Sequence, residues 1–142
     1  MTERIKLTIP NLGVSAIAEL VIEQAPDTVE AVKSALPFAG KATHGRWGGN
    51  EIWAPFPLAH KSLKKENIQI YAEPGQIFLV QNGDFWDVAI FYGKGWTYDP
   101  TGFLLGRHFA TILPEYLANF AEAANKFLEV GSQEIEIETI GA

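Results

Sequence analysis

Apolar residues along most of this chain recur in short alternating runs, each cut off by proline, glycine or asparagine before a helix could grow. Ile5, Leu7 and Ile9 alternate with Arg4, Lys6 and Thr8, the period-two signature of a strand with one buried face. Pro10-Asn11 interrupts the run, residues 16–23 resume as a more apolar strand, and Asn11 to Gly13 reads as the hairpin turn between them. From Gly40 to Tyr98 the texture stays β. Residues 42–47, 52–55, 76–81 and 86–92 are strand candidates, divided by Gly48-Gly49, Pro74-Gly75 and Asn82-Gly83. Asn-Gly favours positive φ and so a tight hairpin. Residues 109–113 add a strand. Ile135, Ile137 and Ile140 end the chain in another, whose other face carries Glu134, Glu136 and Glu138.

Two segments depart from this pattern. Pro26 suits the first helical position and Asp27 and Glu30 favour the positive helix end, after which Val29, Val32 and Leu36 share a face until Pro37. Pro114 opens a second helix with the stripe Leu117, Phe120, Ala121, Ala124, Phe127 and Leu128, stopped at Gly131. Residues 60–67, with Lys61, Lys64 and Lys65, read as a solvated loop. About eight strands at short spacing with two amphipathic helices predict a mainly β barrel or sandwich, its open ends plugged by the helices.

At 142 residues the chain is long enough for one core and too short for two, so residues 1–142 form a single domain. With 47% hydrophobic and 20% charged residues it is too apolar for disorder. It has no cysteine, which excludes disulfides and thiol chemistry and fits a cytoplasmic protein. A net charge of −6 argues against a nucleic-acid partner. The alternation of Met1 to Lys6 argues against a secretory signal, and no apolar run is long enough for a membrane span.

Several segments resemble the cyclophilin superfamily. A strand followed by Ala25-Pro26-Asp27-Thr28-Val29-Glu30 and a helix is similar to the family's opening unit. His44-Gly45-Arg46 resembles its phenylalanine-histidine-arginine segment with a glycine inserted. Phe103-Leu104-Leu105-Gly106-Arg107-His108 is similar to its tryptophan-leucine-x-glycine-lysine-histidine stretch, and a strand, a helix and a last strand ending at Gly141 follow in family order. The style of Ala42-x-His44-x-Arg46-Trp47 and Ile52-Trp53-Ala54-Pro55 is closest to small prokaryotic cyclophilin-like proteins of unassigned function. The resemblance implies a closed barrel of about eight mostly antiparallel strands capped by two α-helices. It also implies an apolar pocket in which Arg46 stands for the family arginine, Phe103 and His108 for the pocket tryptophan and histidine, and Phe91 or Ile90 for the pocket phenylalanine. The family's glutamine-glycine-glycine motif is replaced by Ile52-Trp53-Ala54-Pro55.

The candidate site therefore has Arg46 and His108 as its chemical groups, with His44, Trp47, Glu51, Trp53, Phe91 and Phe103 around a ligand. A planar five-donor guanidinium among flat rings suits a carboxylate or carbonyl beside an aliphatic body. Competing structural readings are an Arg46–Glu51 ion pair, tryptophans spent on packing, and a satisfied structural histidine at 108. A zinc site from His44, Glu51 and His108 lacks supporting spacing, so neither metal nor cofactor is expected. Asp84, Asp87 and Asp99 read as turn and surface residues. The expected function is binding of a small organic or peptide ligand in an aromatic, arginine-containing pocket, with peptidyl-prolyl isomerisation as the alternative and the first enzyme class to test. Exposed aromatics leave a homo-oligomer open.

Overall fold

The computed structural model describes residues 3–141; Met1, Thr2 and Ala142, including the first residues of the N-terminal alternation, lie outside the described residues. β1 (Arg4–Ile9) and β2 (Val14–Leu20) form the expected hairpin. A 3-10 turn at Pro10–Leu12 joins them, closed by Gly13 at φ 63°, where a side chain would be strained. Every second residue of both strands, Ile5, Leu7, Ile9, Ala16, Ala18 and Leu20, is buried. β2 stops short of Glu23 because the chain bends after Leu20 to enter α1 (Pro26–Ser34).

The remaining main strands are β3 (Phe38–His44), β4 (Gly49–Phe56), β7 (Gln76–Asn82), β8 (Phe85–Trp96), β11 (Leu105–Ile112) and β12 (Gln133–Ile140). Between β4 and β7 lie the two-residue strands β5 (Ile68–Gln69) and β6 (Tyr71–Ala72), and between β8 and β11 the hairpin β9 (Tyr98–Asp99) and β10 (Gly102–Phe103). Round the barrel the order is β2-β1-β12-β3-β4-β8-β7-β11, and β11 pairs back onto β2. Every pairing is antiparallel. The fold is thus a closed eight-stranded barrel, and closure removes the long sheet edges that would invite aggregation.

Ile5, Leu7, Ile52, Ala54, Ile77, Leu79, Val88, Ile90, Phe109, Ile135 and Ile137 fill the interior. Val29 and Val32 of α1, and Phe120, Ala124 and Phe127 of α2 (Pro114–Asn125) and α3 (Phe127–Val130), pack against that core. Alternation misplaced Ile140, which is exposed: three positions beyond Ile137, it faces the other way. Arg46 and Trp47 are not in a strand either. β3 ends at His44, and Arg46–Gly48 form a 3-10 turn that redirects the chain into β4.

One region is layered twice. The outward residues Phe78 and Val80 of β7 and Ala89 and Phe91 of β8 form a second buried cluster with Ala72, Trp53 and Leu104, on the outside of the barrel wall. Segments 68–72 and 97–104 cover it. Among the described residues no helix is long and apolar enough to cross a membrane.

Candidate functional site

Strand register builds the site. Trp53 of β4 stands opposite Ala89 of β8, and Pro55 opposite Asp87; on the other side of β8, Val80 of β7 stands opposite Asp87. Since strand side chains alternate between faces, Glu51 and Trp53, Asp87 and Ala89, Val80 and Asn82 all project from the outer wall. The β9–β10 hairpin folds over them. Its base is closed by Thr97, which accepts the Leu104 N–H at 2.9 Å on its carbonyl and donates its hydroxyl to the Leu104 carbonyl at 2.8 Å. At its tip a carboxylate oxygen of Asp99 accepts the Thr101 N–H at 2.7 Å and the Thr101 hydroxyl, tightening the turn. Between wall, hairpin and the 46–48 turn lies a cavity of about 240 Å³. Trp47, Trp53 and Tyr98 supply flat walls, Val80, Ala89 and Leu104 apolar surface, and Glu51, Asp87 and Asp99 three carboxyl groups.

Glu51 is the unusual member. It is only 6% exposed, and among the described residues its carboxyl takes part in no hydrogen bond or ion pair. Two glycines make room for it. A Cβ on Gly48 would stand 2.6 Å from Glu51 Oε1 and 2.9 Å from the Trp96 carbonyl oxygen, and one on Gly45 would also strike Glu51 Oε1. Burial, with repulsion from Asp87, pushes the Glu51 carboxyl up to about 8. Burial and then Asp99 push Asp87 up to about 6. No lysine, arginine or histidine lines the cavity, so the carboxylates repel one another with nothing of opposite charge between them. The indole Nε1 of Trp53 is also buried without a partner.

Of the residues expected at the site, Trp47, Glu51 and Trp53 line the cavity. Phe103 sits beside it, 56% exposed, its ring 5.1 Å from that of Tyr98 and 6.5 Å from that of Tyr71. Phe91 lies underneath, fully buried against Phe78, and its neighbour Ile90 points into the barrel. Arg46 is exposed on its 3-10 turn, forms no ion pair with Glu51 or any other described carboxylate, and does not line the cavity. His44 and His108 bond to groups outside the cavity, and His44 Nδ1 is buried without a partner. His44 Nε2 is 2.6 Å from the Tyr92 hydroxyl, which itself donates to Asn125 at 3.3 Å. His108 Nε2 is 2.8 Å from the Thr111 hydroxyl and its Nδ1 3.3 Å from the Asn67 amide. Burial lowers both imidazoles, with Arg46 adding to the effect on His44 and a hydrogen bond to the Ala110 backbone carbonyl opposing it at His108. The structure therefore separates His44, Glu51 and His108, and among the described residues no group of three or more His, Cys, Asp or Glu could hold a metal ion.

Asp87, Asp99, Tyr98 and Thr97 were missing from the sequence-derived set. Asp87 was legible in principle, because its spacing from Ala89 and Phe91 puts all three on one strand face. Asp99 and Tyr98 were not, since their strand is two residues long and no periodicity can show in it.

A family model described as "Protein of unknown function (DUF3830)" matches residues 7–139. The chain belongs to that family. Among solved structures, this DUF3830 member is similar to McbB in complex with tryptophan, with TM-score 0.71 and 18% identity over 99% of this chain and 45% of that one. It thus spans less than half of McbB's length. A hypothetical protein from Archaeoglobus fulgidus matches with TM-score 0.58 and 20% identity over 96% and 94% of the two chains. A cyclophilin-type peptidyl-prolyl cis-trans isomerase from Cryptosporidium parvum matches with TM-score 0.54 and 13% identity over 100% and 99%. At such identities these likenesses establish the cyclophilin-like fold. No curated protein matches the sequence.

Proposed function

We propose that the chain is a binding protein for a small organic molecule, held on the outer wall of the barrel between Trp47, Trp53 and Tyr98. The observation that carries this reading is the cavity of about 240 Å³, which combines ring walls with the buried, unpartnered indole N–H of Trp53 and the Glu51 carboxyl, only 6% exposed and without a hydrogen bond among the described residues. Buried polar groups are nearly always hydrogen-bonded, and ligand pockets join apolar walls to a few placed polar groups. The volume lies a little below the ~300–1,000 Å³ usual for such pockets, which suits a compact guest. McbB, solved in complex with tryptophan, is a protein with this fold over part of its length that holds a molecule of modest size.

The arginine expected in the pocket is outside its lining, so the guest's main polar partners are carboxyl groups. Isomerisation of a proline peptide loses support on the same ground. Arg46 is away from the cavity, Phe91 is covered, and His108 is engaged, so a protease-coupled proline-peptide assay should show no acceleration.

A thermal-shift screen of metabolites tests the binding reading. Compounds that raise the melting temperature should lose their effect in Ala89→Leu, which fills the floor, and in Trp47→Ala, which removes an exposed wall. Stabilisation unchanged in both variants would overturn the site.

A further inference from the structure

We infer that the guest is a protonated primary or secondary amine, its ammonium donating to Glu51 while Trp47, Trp53 and Tyr98 hold its body and Asp87, further along the wall, adds negative charge. The inference rests on the binding reading above and adds the charge and hydrogen-bonding class of the guest. Three observations converge on it.

The first is the buried Glu51 carboxyl, 6% exposed, lining the cavity and lacking any donor among the described residues. In its ionised form this carboxyl only accepts, so a guest that displaces its proton and holds it ionised must bring N–H groups of its own. The second is the sign of the lining. Glu51 from β4, Asp87 from β8 and Asp99 from the β9 hairpin face the space, and no cationic side chain does. One Asp99 oxygen is already occupied by Thr101, and Asp87 stands four residues along β8 from the position opposite Glu51, which leaves Glu51 as the acceptor for the ammonium. An anionic guest would meet only acidic groups, and a neutral one would bring no charge to offset them. The third is the set of rings, whose π faces attract cations most strongly where water is excluded. A quaternary ammonium would satisfy the rings but has no hydrogen to give Glu51. An amine satisfies both.

Proton linkage follows. Glu51 titrates at about 8 and Asp87 at about 6 in the free protein. An ammonium favours their ionised forms, so amine binding near neutral pH displaces a proton and tightens as the pH rises toward 8.

Two matched sets provide the test: phenethylamine, 2-phenylethanol and 3-phenylpropanoate, then n-butylamine and n-butanol, titrated calorimetrically at pH 8. At least one amine should bind at least tenfold more tightly than its alcohol, as expected for charge-assisted over neutral hydrogen bonds, with phenylpropanoate silent. Glu51→Gln should weaken the amine about tenfold and leave the alcohol unchanged. At pH 7, the amine's apparent enthalpy should differ between Tris and phosphate, reporting proton release. If alcohols bind as well as amines and Ala89→Leu abolishes both, the pocket stands and the amine assignment falls. If neither amine binds at millimolar concentration, or Glu51→Gln leaves amine affinity unchanged, the amine assignment also falls. The metabolite screen judges the pocket independently.

Discussion

Glu51 and Glu66 are buried to nearly the same degree, 6% and 8% exposed, yet the protein treats them in opposite ways. Glu66 reaches the N-terminus of α1, where Ala25 offers no side-chain cap. It accepts the Thr28 N–H at 2.9 Å, the Thr28 hydroxyl at 3.0 Å and the Asp27 N–H at 3.3 Å. Burial pushes its carboxyl up, but those donors and Lys64 outweigh it and leave Glu66 below its ordinary value. Glu51 has no such donors, and burial acts on it unopposed. A buried carboxylate with its donors supplied is part of the frame. One without them is an unfilled acceptor, and an opening beside it is where a guest can contribute what is missing.

The frame around Glu66 is tied together by hydrogen bonds, although Arg107 Nη1 is buried without a partner. Arg107, 2% exposed, donates to the carbonyls of Leu63 at 3.0 Å and Lys64 at 3.2 Å, and its guanidinium carbon lies 5.2 Å from the Trp86 ring centroid. The Trp86 indole donates to the His60 carbonyl at 2.8 Å. These bonds hold segment 57–67 against the barrel. The most disruptive break is therefore Arg107→Ala, which strands two carbonyls and opens a cavity, for a loss of about 4 kcal/mol. Urea unfolding measures it, and a loss below about 1 kcal/mol would mean that the loop holds itself.

Glu51→Gln should act in the other direction. A carboxyl raised on folding binds its proton more tightly in the native state, so the wild type is most stable below the ordinary value of 4.5 and weakens as the pH climbs to about 8. At about 1.4 kcal/mol for each pH unit above 4.5, the variant should exceed the wild type by about 3 kcal/mol near pH 7 and by less than about 1 kcal/mol near pH 5. Unfolding curves at both values decide. Equal stability at the higher pH would mean that donors reach Glu51 in solution, and the contrast with Glu66 would dissolve.

Glu66→Ala should cost about 1–2 kcal/mol, the usual loss of a helix cap, and its pH dependence has the opposite sign. A carboxyl lowered on folding stabilises above its ordinary value, and that contribution disappears as the pH falls through its depressed native value. The gap between wild type and Glu66→Ala should therefore narrow in acid, while the gap for Glu51→Gln narrows there for the reverse reason. Parallel pH trends in the two variants would break the comparison.

Much of this frame was legible in the sequence. Short apolar runs located β1, β4, β7 and β8, but the expected strand at 52–55 began after Glu51 and so missed the face it shares with Trp53; prolines placed both helix starts. What escaped were features made by distant partners. Glu66 caps a helix thirty-eight positions away, and inside a lysine-rich stretch nothing local separates it from a solvated residue. Arg107, next to the conspicuous His108, reads as surface until Leu63, Lys64 and Trp86 are brought to it. Asp99 looks like a turn former because its strand is only two residues long, and it in fact serves both purposes.

Arg46 separates family position from local geometry. Its place after His44-Gly45 is what the cyclophilin likeness singles out, but the inserted glycine and the Arg46–Gly48 turn carry the guanidinium into solvent while the next residue, Trp47, lines the cavity. Arg46→Ala should thus alter stability by less than about 0.5 kcal/mol, the range of ordinary surface changes. Its effect on an amine is a matter of sign: removing a positive charge near an acidic opening leaves affinity equal or slightly higher, and the gain fades with salt because the charge is exposed. A guest that used the arginine would show the opposite, a clear loss of affinity that salt does not restore. Titrating phenethylamine into wild type and Arg46→Ala at low and high ionic strength tells the two apart, since only a direct contact makes the variant the weaker binder in both.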